Sequence, residues 1–507
     1  MNIKNIKTYI LSGILALSMS SCLDKYPEDS IRMDQAINTV GDIDKLVYGI
    51  YDSFKSSALY SGNLTILPDL QADFVYCVKG YSNAYGDIYR WKDIKATNTD
   101  IESVYGALYG VINNANFLLD NVDKVKANTN SDKELDKLEQ CEGEAYFARA
   151  LAYSELIKCF CKAYDSDEQA EKELGVVLTE HYYGNEPQKR ATLKESYDFV
   201  LRDLDKATEY LKVDEDFTGT LYDEIYFNEY ACHALRARVS LYMHRWDDAI
   251  KYASKVINSK YYVLASCTQK IGNTSYYQYQ WTAGKSTEGI WKVGFTVNSY
   301  GGALGTIFDN YNYVTYRPDY VPETWVINSF DANDLRAAAI FTTRTTGYEH
   351  GLQWPLLSKY FGDAEFLNNN ILHVHQPMVF RLSEQYLIRA EAYAMNGEYG
   401  KAGKDISTLR TARYSSYGGN TSMSDESSAM KIIEAERVKE LYMEGFRLND
   451  LKRWHKGFER KAADQPAANF VQSSLKVEKD DPLFVWPIPQ HELEAPGSEI
   501  QPNESNK

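Results

Sequence analysis

The sequence has too little positive charge for a nucleic-acid-binding protein. Its 507 residues include 55 Lys and Arg against 71 Asp and Glu, a formal net charge of −16. A chain of this charge repels phosphate backbones and also the anionic surface of a membrane. We therefore expect no nucleic-acid partner, and attachment to a membrane would require an anchor rather than a basic patch.

Long hydrophobic runs are also scarce, and the one near the amino terminus is too short to span a bilayer. Residues 1–21 contain two lysines, a short apolar stretch and two small residues directly before Cys22. This order is typical of a cleaved export signal, and the Cys after small residues matches the lipidation pattern of bacterial lipoproteins. A plain secretory signal is the alternative, because Met19 stands where Leu is usual. We predict a signal peptide over 1–21, lipidation of Cys22 and a polar tether over 22–34.

Cysteine is infrequent, and Cys22 accounts for one of the seven. The six others form an even number, which permits disulfides in an exported chain. However, Cys141, Cys159 and Cys232 lie at apolar positions of predicted helices, where a buried free thiol fits as well as a bridge. The Cys159-x-Cys161 pair has no second pair to complete a zinc site, so it predicts no metal.

The sequence lacks the motifs of several enzyme classes. We find no G-x-S-x-G elbow, no H-E-x-x-H zinc motif, no P-loop and no dinucleotide-binding glycine pattern. A glycoside hydrolase needs only two suitably spaced carboxylates, which leaves that class open, although the alternating strands and helices of a glycosidase barrel are missing. His373 and His375 have no third ligand at a suitable spacing to complete a metal site. Asp331 and Asp334 could bind calcium, but their position favours capping of the helix that follows. We predict no catalytic residue, metal or cofactor.

Helical periodicity dominates what is present. Apolar residues recur at three-and-four spacing over three stretches: 43–54, 101–122 and 135–160. Thr192 to Glu195 form a capping box that starts a further helix. Residues 231–257 and 386–409 each predict a helix, a tight turn and a second helix, with Ala at close-packing positions. This layout is typical of tetratricopeptide-like pairs, which stack to bury their apolar faces; generic antiparallel helical hairpins are the alternative.

Tyrosine is unusually frequent, with 41 residues against 19 Phe. Residues 260–380 are rich in Tyr, Gly, Asn and Thr and contain only short strand-like stretches, at 289–295 and 371–376. Long irregular segments are usually functional, and Tyr can lie at a wet surface with its hydroxyl satisfied. We therefore predict a mainly α fold of stacked helical pairs with a loop-rich, short-strand excursion that carries the ligand surface. Trp291 and Trp325 are expected in the core.

The tail of the chain resembles a known family. Residues 436–454, from Glu436 to Trp454, resemble the C-terminal helix of the SusD/RagB family of outer-membrane nutrient-binding lipoproteins. Three further stretches are similar to its closing segment and internal helices: 484–490, 381–392 and 145–150. The resemblance covers essentially the whole mature chain but is weaker over 60–95 and 260–380. By its own pattern, 436–454 predicts one helix on which opposite charges pair and fix packing, rather than a catalytic element.

The resemblance implies a lipid-anchored outer-membrane protein of a Bacteroidetes-type bacterium that faces the cell exterior. It implies capture of oligosaccharide and delivery to a SusC-like TonB-dependent transporter, without enzymatic activity. Peptide uptake of the RagB type is the alternative, and a surface glycoside hydrolase is a further one. We expect a single SusD-like body over 35–507. Its scaffold would occupy about 35–60, 98–260 and 380–460, its ligand-side loops about 60–97 and 260–380, and its closing segment 461–507.

In that family the ligand site uses loops that correspond to the two aromatic-rich regions of this chain, 74–91 and 276–325. Aromatic rings stack on the C–H faces of sugars, and amide and charged groups bond the hydroxyls. The resemblance therefore nominates eight ligand-binding candidates: Tyr81, Asn83, Tyr85, Trp91, Trp281, Tyr311, Tyr313 and Tyr316.

Overall fold

The structure is a computed structural model that describes residues 36–91, 94–184, 188–213, 224–348, 351–461 and 474–506. The predicted signal peptide, the lipidation site Cys22 and the tether over 22–34 lie outside the described residues.

Helices make up most of the regular structure. Their bounds are α1 Val40–Ser53, α2 Asn63–Gln71, α3 Gly86–Tyr89, α4 Thr99–Lys126, α5 Asp132–Phe160, α6 Asp167–Ala170, α7 Leu193–Tyr210, α8 Glu229–Tyr242, α9 Trp246–Ile257, α10 Tyr276–Thr282, α11 Thr306–Asp309, α12 Thr324–Ser329, α13 Arg336–Ile340, α14 Ala364–Asn368, α15 Leu382–Met395, α16 Tyr399–Arg413, α17 Glu426–Glu440, α18 Arg447–Arg453 and α19 Gln490–Glu494. In the part of the chain that the structure describes, no helix has both the length and the hydrophobicity needed to cross a lipid bilayer.

The strands are short and pair two by two. Their bounds are β1 Val75–Cys77, β2 Leu174–Val177, β3 Arg190–Thr192, β4 Lys270–Ile271, β5 Thr274–Ser275, β6 Gly289–Lys292, β7 Tyr320–Pro322, β8 Phe341–Thr345, β9 Gln353–Leu357, β10 Met378–Arg381, β11 Phe458–Arg460 and β12 Leu475–Val477. The antiparallel pairs are β1–β7, β2–β3, β4–β5, β6–β10, β8–β9 and β11–β12.

The long helices stack as the periodicity predicts. Helix α5 packs between α4 and α7, α8 packs on α9, and α9 packs on α15, which also contacts α16. The predicted capping box at the start of α7 is present: Thr192 Oγ1 accepts from the Glu195 N–H, and the Glu195 carboxylate accepts from the Thr192 N–H. This architecture confirms the mainly α, tetratricopeptide-like fold. It places one large apolar core between the stacked helices.

The six cysteines of the described residues are free and buried. Cys141, Cys159 and Cys232 lie inside helices α5 and α8, where their thiols pack with the core. The disulfide alternative is therefore wrong for these three positions. Burial raises the pKa of the Cys159 thiol to about 12, so it stays protonated and unreactive at neutral pH.

The tail motif is not one helix, contrary to the prediction. Helix α17 ends at Glu440 and α18 begins at Arg447. Between them Met443 and Gly445 adopt left-handed backbone angles, with φ of 59° and 82°. The Asp69 carboxylate accepts hydrogen bonds from the backbone N–H groups of Gly445 and Arg447, at 2.9 and 2.7 Å. A distant carboxylate therefore caps the second helix, and that contact has no local sequence signal.

The charges of the tail are buried and pair across the fold. Glu440 accepts hydrogen bonds from Arg381 at 2.6 Å, from Arg413 at 2.8 Å and from Arg336 at 2.9 Å. Arg381 and Arg413 also bind Glu288, at 3.0 and 2.9 Å. These five side chains form the buried ion cluster, and each is at most 2% exposed. Glu440, Arg413 and Arg336 lie on α17, α16 and α13, Arg381 ends β10 and Glu288 directly precedes β6, so the cluster joins the scaffold to the loop-rich region.

Candidate ligand-binding surface

The structure brings the two aromatic-rich regions together. Strand β1 pairs with β7 in antiparallel register, with Tyr76 opposite Val321. Beyond the strands, the backbone N–H and hydroxyl of Ser82 each donate to the Asp319 carboxylate at 2.6 Å. The loop after β1 and the loop before β7 are therefore neighbours, although 237 positions separate Ser82 from Asp319.

Four aromatic rings form the tyrosine cluster: Tyr311, Tyr313, Tyr316 and Phe361. Tyr311 and Tyr316 stack with centroids 4.5 Å apart and planes 22° apart. Tyr311 also lies 5.8 Å from Tyr313 and 5.8 Å from Phe361. The Arg344 guanidinium lies 5.2 Å from the Tyr316 ring centre. Tyr313 is 55% exposed, so the cluster presents an aromatic ring to solvent and holds a cation against a second ring, that of Tyr316.

Hydrogen bonds hold the loop that carries this cluster. The Tyr311 N–H donates to His373 Nε2 at 3.1 Å, and the Tyr313 hydroxyl donates to the Asn370 carbonyl at 3.2 Å. Asn312 Oδ1 accepts from the N–H groups of Val314 and Thr315, at 3.1 and 3.0 Å. The rings are therefore positioned before any ligand arrives, which lowers the entropic cost of binding.

The first loop contributes Tyr81, Asn83 and Tyr85. The hydroxyl of Tyr81 donates to Asn83 Oδ1 at 2.8 Å, and Arg90 Nη1 donates to the same oxygen at 2.6 Å. The Tyr81 ring contacts Tyr320 edge-on, at 5.8 Å. Tyr81 and Tyr316 also pack against one small core group. Tyr81 and Asn83 thus lie near the tyrosine cluster, whereas Tyr85 is half-buried and packs against the main core.

Two of the eight candidates are in the core, which corrects their assignment to the ligand surface. Trp91 is 3% exposed, packs edge-on against Phe458 and Phe484, and donates its indole N–H to Asp481 at 3.2 Å. Trp281 is 2% exposed, with Lys359 Nζ 3.9 Å from its ring centre. A ring buried on both faces cannot stack on a ligand in this conformation.

Two functional candidates escaped the sequence analysis, Phe361 and Arg344. Phe361 directly follows the short turn Ser358–Tyr360, and Arg344 lies on β8. Arg344 is half-buried between the exposed Thr343 and Thr345, and no local sequence signal marks it or Phe361. The expected core position of Trp291 is confirmed at 0% exposure, whereas Trp325 is half-buried.

The two histidines bind different partners rather than a shared metal. His375 Nδ1 lies 2.5 Å from Asp363 Oδ1, whereas His373 contacts the backbone of Tyr311. Residues 371–376 form no strand, contrary to the prediction; the strand begins at Met378. Within the described ranges no group of three His, Cys, Asp or Glu side chains is arranged to hold a metal ion.

Asp309 is a buried carboxyl directly behind the tyrosine cluster. It is 1% exposed, and its Oδ2 has no hydrogen-bond partner among the described residues. Burial raises the pKa of Asp309 from its ordinary 3.8 to about 8, against the opposing attraction of Arg344. The group is therefore neutral near pH 7.

We expect Asp309→Asn to flatten the pH dependence of stability. The folded chain retains a proton on Asp309 that the unfolded chain releases near pH 4. The associated stability is therefore complete below pH 4 and declines as the pH rises towards 8. Measured by urea unfolding, the free energy of unfolding should decrease less from pH 5 to pH 8 in the variant than in wild type. The two decreases should differ by about 1 kcal/mol or more. Identical losses would contradict the prediction.

Comparison with known proteins gives a consistent result. A family model described as SusD family matches residues 341–503, and one described as starch-binding associating with outer membrane matches residues 22–241. A SusD-like protein of Formosa agariphila is 21% identical over 90% of each chain. A SusD superfamily structure from Bacteroides thetaiotaomicron is 23% identical with a TM-score of 0.76, covering 92% of this chain and 99% of that one. A SusD-like carbohydrate binding protein from Bacteroides vulgatus is 19% identical with a TM-score of 0.72, covering 90% and 97%.

Proposed function

Because this chain belongs to the SusD family, we propose that it is a cell-surface lipoprotein that binds oligosaccharide and passes it to a SusC-like TonB-dependent transporter. The ligand class is inferred from the tyrosine cluster, in which the exposed Tyr313 lies beside the amide and hydroxyl groups of the same loop. Aromatic faces suit the C–H faces of a sugar ring. The surrounding polar groups suit its hydroxyls.

We propose a binding role without catalysis. Three carboxyls lie within three positions of a cluster residue, and all three are buried: Asp309, Asp319 and Asp363. Asp319 also accepts two hydrogen bonds from Ser82, and Asp363 is paired with His375. A glycosidase needs one carboxylic acid and one carboxylate that both reach the glycosidic bond. None of Asp309, Asp319 and Asp363 is exposed enough to do so.

Weak binding of free ligand fits this role. A half-covered tyrosine ring contributes roughly 2–3 kcal/mol. Two or three such contacts must offset several kcal/mol of association cost, which leaves an affinity on the order of micromolar to millimolar. A protein that hands its cargo to a transporter must also release it.

Tyr313→Ala is expected to weaken oligosaccharide binding at least about tenfold, because it removes the most exposed ring of the cluster. Its melting temperature should stay near that of wild type. Calorimetry with a panel of neutral oligosaccharides and of peptides tests both the site and the ligand class. Tyr183→Ala, which removes a 74% exposed ring elsewhere, is the matched control and should bind normally.

Two results of that panel would contradict the proposal. Binding of peptides alone would favour a RagB-type uptake protein. Time-dependent shortening of a bound oligosaccharide by the pure protein would indicate a hydrolase instead.

In cells, a tagged copy of the chain should fractionate with the outer membrane, and Cys22→Ala should release it, because acylation of that residue would supply the anchor. After mild-detergent extraction, the wild-type copy should bring down a barrel-sized partner. Retention of Cys22→Ala in the membrane would contradict the anchor. Recovery of the protein alone under several detergents would contradict delivery to a transporter.

A further inference from the structure

A second aromatic surface lies apart from the tyrosine cluster. It is a groove of about 530 Å³ between helix α1, residues 225–226 and the chain that continues from β6. We call it the Tyr48 groove and define it by the residues that line it: Tyr48, Tyr51, Asp52, Lys55, Tyr226, Phe295 and Gln376. Its volume falls within the range of small-molecule sites.

Exposed tyrosine rings form the walls of the groove. Tyr48 is 56% exposed and Tyr226 is 43% exposed, which places them with Tyr313 among the most exposed large side chains of the described residues. Tyr51 meets Tyr226 edge-on at 5.8 Å, and its hydroxyl accepts from the Phe227 N–H at 2.8 Å. The groove therefore has fixed aromatic walls that no described residue covers.

The charges of the groove cancel. Asp52 and Lys55 are the charged residues of the lining, and they form an ion pair at 3.1 Å. Lys55 Nζ also donates to Ser299 Oγ at 2.7 Å. Both charged groups are thus already engaged, in a chain whose net charge is −16. A charged ligand would find no counter-ion here, whereas a neutral ligand with apolar faces and hydroxyl groups matches the rings and the polar rim.

Helix α14 links the groove to the tyrosine cluster. The Phe366 ring on α14 lies 6.4 Å from Phe295, which lines the groove. Four residues later, the Asn370 carbonyl accepts from the hydroxyl of Tyr313 in the cluster. The two aromatic surfaces therefore lie on either side of one short segment.

We propose that the Tyr48 groove is a second binding site for neutral oligosaccharide, separate from the tyrosine cluster. The ligand class rests on the proposed function, whereas the location rests on the groove itself. Two sites joined by one segment allow a longer saccharide to be held at two points, which raises its retention without tighter contacts at either.

Hydrogen exchange with mass spectrometry tests the proposal, with maltoheptaose, cellohexaose, xylohexaose and mannohexaose as separate probes on the full chain. At least one probe should protect residues 48–55 and 293–296 in wild type. In the double variant Tyr48→Ala, Tyr226→Ala, the probe concentration that gives half-maximal protection should rise at least tenfold. The corresponding pair of Phe variants keeps the rings and should stay within about twofold. Both side chains are exposed, so neither pair should unfold the protein.

The outcome at each site is separate. Tyr313→Ala should weaken protection of the tyrosine cluster and leave protection of the groove in place. If wild type shows protection of the groove but none of the cluster, the result would count against the proposed ligand site and not against the groove. No protection of residues 48–55 by any probe, or protection unchanged in the Ala pair, would overturn the inference. Self-association of wild type that the Ala pair abolishes would also overturn it, because a second copy of the chain would then be the occupant.

Discussion

Glu440→Ala is expected to lower the free energy of unfolding by about 3–5 kcal/mol, the cost of removing one partner from a buried ion pair. The Glu440 carboxylate accepts from Arg336, Arg381 and Arg413 with no access to water. Burial alone would raise the pKa of Glu440, but Arg413 and Arg381 outweigh it and hold the pKa well below its usual value. Without this carboxylate, each of the three buried guanidinium groups loses one of its acidic partners and the hydrogen bonds to it. Urea unfolding followed by circular dichroism measures the loss.

An exposed ion pair is the matched control for this variant. Glu168 and Lys172 are separated by 2.8 Å on the surface, with side chains 83% and 71% exposed. Glu168→Ala should therefore leave stability unchanged, because water screens the pair. Glu440→Gln keeps the shape and removes the charge, and should be destabilising as well. If Glu440→Ala unfolded at the same urea concentration as wild type, the buried ion cluster would not hold the fold together.

Trp281→Ala is expected to destabilise the protein by about 3–5 kcal/mol, the range for removing a large buried aromatic residue. The indole, on α10, is 2% exposed and packs against the buried cationic groups of Lys359 and Arg381, which lie 3.9 and 5.7 Å from its ring centre. Its removal would leave a cavity and would also remove the cation–π contacts of Lys359 and Arg381. Thermal and urea unfolding measure the effect.

Comparison with Tyr313→Ala makes this result decisive. The exposed Tyr313 should affect ligand binding and not stability, whereas the buried Trp281 should affect stability first. If Trp281→Ala kept its melting temperature and lost ligand binding, the indole would belong to the ligand surface after all.

The ligand surface was only partly predictable. Sequence resemblance placed Tyr311, Tyr313 and Tyr316 in one loop, and the structure brings their rings together. It did not reveal Phe361, which completes the cluster from 45 or more residues further along the chain. Nor did it reveal that Trp91 and Trp281 turn inwards, since Trp residues in aromatic-rich loops have the same local pattern whether they face the core or solvent.

The sequence by itself determined the structural features that depend on residues close together along the chain. The capping box at Thr192, the presence of the long helices and the stacking of Ala-rich pairs follow from contacts within about four residues and from the need to bury one face. Only the tertiary structure decided where the tail helix breaks and which loops meet. The break at Met443 and Gly445 is held by Asp69, 376 positions from Gly445, and the ligand loops are joined by Ser82 and Asp319, 237 positions apart. Such contacts form only when the whole chain has packed, so no local pattern encodes them.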